Sequence, residues 1–162
     1  MTRARRFVRE ARLGNGRATL DRAGRALLAW EVHRAAGLDV APGSPTPGTP
    51  TPGPVAPGLR VTLHPRAGPA AWLRMAAPCE VTEVVDDPDA RGFTYRTLPG
   101  HPEHGTETFL VHRNRATDEV RFRIEAISRP GRLLVCLAGP LARAEQDRIT
   151  RRYLDSARLL AI

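Results

Sequence analysis

Residues 119–127 read EVRFRIEAI, with an apolar side chain at every second position and a charged one between. In an extended strand alternate residues point to opposite faces, so Val120, Phe122, Ile124 and Ala126 form a dry face. The arginines and the glutamate between them form a wet face. This alternation is typical of antiparallel sheets with one face on a core. The segment therefore predicts an antiparallel sheet whose dry face is covered by another layer.

Other segments have the residue types or the alternation of β-strands. They are 59–64 (LRVTLH), 79–87 (CEVTEVVDD), 92–97 (GFTYRT) and 108–113 (TFLVHR). Short connections favour antiparallel pairing, because parallel strands need long crossovers. We therefore expect these segments to join residues 119–127 in one sheet.

A long C-terminal helix is predicted to cover the dry face. The segment that follows Pro140 has apolar residues at intervals of four, four and three positions, namely Ile149, Tyr153, Ala157 and Leu160. This spacing places them on one side of a helix. The expected fold is of the α+β class, with a curved antiparallel β-sheet packed on this helix.

An additional N-terminal helix is also predicted. Residues 1–17 are basic and end in the turn sequence Gly-Asn-Gly. Thr19 is predicted to be the N-cap of the helix, and Gly37 is predicted to end it. The apolar residues at helical spacing between them are Leu20, Ala23, Leu27 and Trp30.

The length of 162 residues predicts a single domain covering residues 1–162. Residues 41–57 hold seven prolines in seventeen positions, which predicts a low-complexity surface insertion. No apolar run approaches the about 20 residues that cross a bilayer. The Arg-rich N-terminus also lacks the apolar stretch of a secretory signal.

The net charge is +8, and all 25 basic residues are arginine. Guanidinium groups suit phosphate and carboxylate partners, but these arginines are scattered along the chain, so nucleic-acid binding is a disfavoured alternative. Cys79 and Cys136 lack the spacing of a zinc or redox motif. They are predicted to be buried thiols in a reducing cytoplasm.

The segment 98–105, LPGHPEHG, concentrates groups that can carry chemistry. Its Pro and Gly residues stiffen the backbone, so that His101, Glu103 and the nearby Glu107 can converge as general acids or bases. With His104 they also have the chemical types of a Zn or Fe site, but the spacing matches no established motif and no metal is predicted. A turn in which the carboxylates cap backbone N–H groups is the structural alternative.

Arg129 follows the predicted strand 119–127. It can meet an anionic head group of a ligand, or it can pair with Glu103 or Glu107 if it is covered. The sequence has no nucleophile elbow, phosphate-binding loop or dinucleotide motif, and no cofactor is predicted.

Four separated motifs resemble one known family. They are GF-x-Y-x-TLPGHPE-x-G-x-E-x-F at 92–109, APCEVTEVVDDP at 77–88, F-x-I-x-A-x-SRP at 122–130 and GP-x-A-R-x-x-Q-x-x-x-x-RRYL at 139–154. In this order they resemble the bacterial and plant family catalogued as "domain of unknown function nineteen-ninety". The family usually has Gly where this chain has Arg96, a further segment before the RLG motif, and a shorter Pro-rich stretch.

The resemblance implies a helix-grip architecture, as in START-type and polyketide-cyclase-like proteins. Those proteins hold apolar small molecules between a curved sheet and the C-terminal helix. The first hypothesis is therefore a module that binds a small apolar or amphiphilic ligand, with ligand identity and oligomeric state left open. The candidate ligand-binding residues are Trp30, Phe93, Tyr95, Phe109, Phe122, Arg129 and Tyr153.

Three alternatives stand beside this hypothesis. The aromatic residues can simply fill the core. The protein can be an enzyme, with His101, Glu103 and Glu107 as catalytic groups at the mouth of a cavity. It can also act through its arginines as an interaction or nucleic-acid-binding protein.

Overall fold

The computed structural model describes residues 4–43, 51–72, 74–130 and 139–162. Within these ranges the chain forms seven β-strands and four α-helices. In chain order they are β1 (Arg5–Asn15), α1 (Arg17–Leu28), α2 (Glu31–Ala35), β2 (Leu38–Pro42), β3 (Arg60–Pro65), α3 (Pro69–Trp72), β4 (Ala77–Asp87), β5 (Ala90–Thr97), β6 (Glu103–Arg113), β7 (Glu119–Pro130) and α4 (Gly139–Leu160). The predicted thiol of Cys136 lies outside the described residues.

The strands form one curved antiparallel sheet in the order β1-β7-β6-β5-β4-β3-β2. Strands β2 to β6 each pair with the next strand along the chain, and β1 pairs with β7 at the far edge. Register shifts between Arg12 and Gly14 and between Val81 and Glu83 bend the strands locally. The predicted α+β fold is confirmed.

The dry face of the sheet carries the core. Phe122 and Ile124 of β7 are fully buried, as their alternation predicted. Phe109 of β6 lies beside Phe93 and Phe122, with ring centroids 5.5 Å and 6.4 Å away. Aromatic rings at these separations bury large apolar areas. They fill the middle of the sheet.

Helix α4 covers this face, as predicted. Tyr153 and Ala157 are buried, and Ile149 and Leu160 are partly buried against the core. The ring of Tyr153 lies 5.1 Å from that of Phe109, edge to face. The helix therefore contacts the centre of the sheet directly.

Strand β6 begins at Glu103 and not at Thr108, so the predicted boundary is wrong. Glu103 and Glu107 are consequently strand residues, and the turn is confined to residues 98–102. An even number of positions separates each glutamate from Phe109, so both side chains lie on the dry face. The alternation was hidden because Gly105 and the two acids are not apolar.

Strand β1 was not predicted; the sequence indicated only a basic segment that ends in a turn. Phe7 and Leu13 pack against the core from alternate positions. On the wet face Arg6 pairs with Glu125 at 2.7 Å. Arg9 interrupts the inward series, which made the period of two too weak to indicate a strand.

The predicted N-terminal helix is divided into α1 and α2. Its N-cap is Gly16, whereas Thr19 lies within the first turn and donates its hydroxyl to the Asn15 carbonyl at 2.8 Å. Trp30 separates the helices with a left-handed φ of 64°. This backbone places the indole fully inside the core. Gly37, with φ 93°, ends the helical region as predicted.

The described ends of the Pro-rich segment both contact the domain. Residues 41 and 42 belong to β2. The Val55 backbone N–H donates to the Leu28 carbonyl at 2.8 Å, and Val55 packs against the core. Residues 44–50 lie outside the described ranges. Strand β2 and helix α3 were not predicted, because five and four residues are too few to show a period.

Gly105→Ala should destabilise the protein. A Cβ at Gly105 would collide with the backbone carbonyl oxygen of Ile127 on β7, and a strand in the middle of a sheet cannot move aside freely. We expect the free energy of unfolding in urea to fall by about 1–3 kcal/mol. Gly53→Ala is the matched control, because a Cβ there has no atom within 4 Å. Equal stability of the two variants would contradict the close approach of β6 to β7.

Candidate functional site

A cavity of about 300 Å³ lies between α4 and one end of the sheet. Strands β1, β4 and β6 begin at this end, and β3 and β5 finish there. Most lining side chains are apolar, among them Leu38, Leu63, Met75, Ala77 and Ile149. A concave, mainly apolar space of this size is typical of small-molecule sites.

Tyr95 and Glu107 form a polar pair at the wall of the cavity. They are directly opposed in the register of β5 and β6. The Tyr95 hydroxyl donates to Oε2 of Glu107 at 2.5 Å. Tyr95 is only 3% exposed, and Glu107 keeps a partial exposure because it faces the cavity. Two central strands therefore hold the pair in a fixed geometry.

The surroundings of Glu107 favour its protonated form. Burial raises its pKa to about 7; the hydrogen bond from Tyr95 opposes this rise, and the nearby Glu103 charge adds to it. Burial also raises the pKa of Glu103, against a hydrogen bond from Ser128 and the charge of Arg5. Glu107 can thus gain or lose a proton near neutral pH.

His101 lies in the turn before β6. Its Nδ1 accepts a hydrogen bond of 2.9 Å from the Glu103 backbone N–H, and Gly100 supplies a φ of 95°. Burial lowers the pKa of His101 to about 4, so the ring is neutral at pH 7. The imidazole fixes the start of β6. The structure brings His101, Glu103 and Glu107 together at the cavity, and their catalytic roles stay a prediction.

Helix α4 supplies the opposite wall. Tyr153 lines the cavity and is 4% exposed, and no described residue forms a hydrogen bond with its hydroxyl. Thr150 and Glu145 line the same wall, with Glu145 paired to Arg148 at 2.7 Å. The sequence analysis missed these two residues. The four-residue step from Glu145 through Ile149 to Tyr153 was the available signal.

Four of the predicted ligand-binding residues do not line the cavity. Trp30, Phe93, Phe109 and Phe122 are fully buried in the aromatic middle of the core. Their packing against each other corrects their assignment as lining residues. Only Tyr95 and Tyr153 of the predicted set reach the cavity.

Arg129 is another predicted ligand-binding residue that does not line the cavity. An odd number of positions separates Arg129 from the inward-facing Ile124 and Ala126, so its side chain lies on the wet face and is exposed. It neither lines the cavity nor forms an ion pair with Glu103 or Glu107 in the described part of the chain.

His33 is a buried polar residue that the sequence analysis missed. Its ring contacts Trp30, Phe109 and Tyr153, with centroid distances of 5.1, 4.7 and 4.9 Å. Burial, with a smaller effect of Arg34, lowers its pKa to about 3. Neither ring nitrogen has a hydrogen-bond partner among the described residues. His33 therefore acts as one more neutral aromatic ring, and its position three residues after Trp30 was the signal.

Among the described residues, no group of three His, Cys, Asp or Glu side chains is arranged to hold a metal ion. No helix in this part of the chain is long and apolar enough to cross a membrane. On the wet face, Arg60 and Arg96 pair with Glu80, and Arg123 pairs with Glu10 and Glu125. This pairing leaves little concentrated positive charge there for a polyanion.

A family model described as "Domain of unknown function (DUF1990)" matches residues 2–156. The chain belongs to this family. A relative named UPF0548 protein, from Deinococcus radiodurans, is 42% identical over 73 residues. That alignment covers 45% of this chain and 36% of the relative, so the chain spans just over a third of the relative's length.

Solved structures identify the fold as helix-grip. A hypothetical protein from Helicobacter pylori has a TM-score of 0.61 at 10% identity, over 99% of this chain and 89% of that chain. Ara h 8.0201 has a TM-score of 0.56 at 9% identity, over 97% of both chains. Major latex-like protein 151 from Panax ginseng has a TM-score of 0.52 at 12% identity, over 94% and 96%. At these identities the likeness shows the fold alone.

The DUF1990 motif at 92–109 coincides with the part of the sheet that forms the site. It supplies Tyr95, Glu103 and Glu107 together with Gly105, which permits close strand contact. Arg96 lies on the wet face and donates to Glu80 at 2.8 Å. It does not line the cavity.

The raised pKa of Glu107 predicts that the contribution of this residue to stability falls between about pH 4.5 and pH 7. Over this window the folded protein keeps a proton on Glu107 that the unfolded chain has lost, so this contribution to the free energy of unfolding declines with pH, by up to about 3 kcal/mol. Glu107→Gln mimics the protonated side chain. In urea titrations it should match the wild type near pH 4.5 and exceed its stability at pH 8.

Glu83→Gln is the control for this measurement, because Glu83 is exposed. Burial of His33 and His101 also changes stability with pH, but it does so equally in the wild type, Glu107→Gln and Glu83→Gln. This effect therefore cancels when the free energies of unfolding are subtracted. A difference between wild type and Glu107→Gln that does not change with pH would refute the burial of an ionisable Glu107.

Proposed function

We propose that this protein binds a small apolar or amphiphilic molecule in the cavity between the sheet and α4. The observation that carries the proposal is a cavity of about 300 Å³ with an apolar lining and three convergent polar side chains, Tyr95, Glu107 and Tyr153. Sites for small molecules combine these two features, since the apolar wall supplies affinity and the polar groups set orientation.

The polar pair is difficult to explain by folding alone. A carboxyl group removed from water costs free energy even when it is hydrogen-bonded, and an apolar pair at the same place would avoid that cost. The middle of the core, by contrast, is filled by aromatic rings. The acid thus lies where the protein leaves space and not where it packs tightly, which supports a role toward a bound molecule.

The elements from β1 to α4 are proposed to form a single domain, because one sheet and one core cluster connect them. The proposed compartment is the reducing cytoplasm. The free, buried thiol of Cys79 supports it.

An enzymatic function is the second candidate, favoured by the pKa of about 7 at Glu107. A general acid or base works best when its pKa lies near the working pH. Glu107 faces the cavity, so a bound carbonyl or ester compound would lie within its reach. Binding is common to both candidates, and conversion distinguishes them.

The neutral fluorescent dye N-phenyl-1-naphthylamine should bind in the cavity with an affinity on the order of 10 µM. Ala77→Phe should weaken this binding at least about tenfold, because Ala77 lines the cavity and a phenyl ring there fills it. Fluorescence titration measures both constants. Ala116→Phe is the matched control, since Ala116 is exposed in the turn before β7. The proposal would be contradicted if the wild type did not bind the dye, or if Ala77→Phe bound it as tightly as the wild type does.

The enzymatic candidate predicts that a molecule that binds in the cavity is chemically changed by the wild type. Glu107→Gln should slow that change by about 100-fold or more while the molecule still binds. Mass spectrometry of the recovered ligand gives the answer. Recovery of unchanged ligand after prolonged incubation with the wild type would leave binding as the function and exclude catalysis on that compound.

A further inference from the structure

The cavity has an acidic lining in a strongly basic protein. The chain has 25 arginines and a net charge of +8, yet none of the described residues that line the cavity is an arginine. Glu103, Glu107 and Glu145 all line it. An anionic head group would therefore meet repulsion without a guanidinium to receive it.

Two of these acids have positive charges beside them. Arg148 forms an ion pair with Glu145 at 2.7 Å, and that hydrogen bond lowers the pKa of Glu145. The charge of Arg5 acts on Glu103. Both arginines lie outside the cavity lining.

Glu107 has no such neutralising partner among the described residues. Its hydrogen-bond partner is the neutral hydroxyl of Tyr95, which occupies Oε2. Its charged neighbour is the like-charged Glu103. A carboxylate in this position gains most from a donor group that carries positive charge.

Tyr153 provides an independent sign of a ligand. The side chain is 4% exposed and faces the cavity, and its hydroxyl has no hydrogen-bond partner among the described residues. Glu107 lines the same cavity, and burial, with a smaller contribution from the charge of Glu107, raises the pKa of Tyr153. A hydroxyl that lines the same cavity as an acid can receive one N–H of a ligand while the acid receives another.

We infer that the ligand is an apolar molecule with a protonated amine, which lies between Glu107 and Tyr153 while the apolar body fills the cavity. This inference rests on the proposed binding function and names its ligand class. Fatty acids and organic phosphates are thereby disfavoured as ligands.

Three probes with one naphthalene body test the inference: 1-naphthylmethylamine, 1-naphthalenemethanol and 1-naphthoic acid. Their dissociation constants are measured at pH 8 and about 0.15 M salt, by competition with N-phenyl-1-naphthylamine and by calorimetry, so that weak surface attraction is screened. The amine should bind about tenfold tighter than the alcohol, and the acid weaker than both. In Glu107→Gln the amine should lose this advantage, whereas exposed Glu83→Gln should keep it.

The outcomes separate this inference from the proposed function. If the dye binds and the acid competes as well as the amine, binding stands and the amine inference is overturned. If Glu107→Gln keeps the amine preference, the assignment of Glu107 is overturned. If neither the dye nor any probe binds, both fall together. The order of the three probes' dissociation constants is measured on the wild type alone. It therefore tests the inference even if Glu107→Gln folds poorly.

Discussion

The alternation of side chains along β6 is the constraint on which the site depends. A strand that buries Phe109 beneath α4 must also turn Glu107 and Glu103 toward the same face, because the side-chain period of a strand is two. The core and the candidate site are therefore built by one strand. Tyr95, opposite Glu107 on β5, reduces the cost of burying the acid by donating a hydrogen bond.

The position of the cavity follows from how the dry face is filled. Aromatic rings occupy the middle of the sheet, where Tyr153 contacts Phe109. Toward the end where β6 begins, the face carries small or polar residues such as Ala77 and Glu103. Helix α4 is fixed there by Arg148, which bonds both Glu145 and the Ala67 carbonyl, the latter at 2.9 Å. A space therefore remains between the helix and this end of the sheet.

Much of the fold could be predicted because the later strands alternate clearly and α4 has a regular apolar side. The residues 119–127 and the step from Ile149 to Tyr153 are examples. Strand β1 could not be predicted, since Arg9 breaks its short inward series. The site was found only in part. His101, Glu103 and Glu107 were singled out for their chemistry, but their place on a strand was hidden by Gly105. Aromatic character alone could not tell core residues such as Phe93 from lining residues such as Tyr95, because both lie on the same face.

The sheet holds an ionisable carboxyl group, that of Glu107, against an apolar cavity. The most direct test is a carbon NMR titration of protein with labelled glutamate side chains, with Glu107→Gln used to assign the Glu107 carboxyl signal. Burial of Glu107 predicts a midpoint near pH 7 for this signal. A midpoint close to 4.5, the ordinary value for a solvated glutamate, would contradict it.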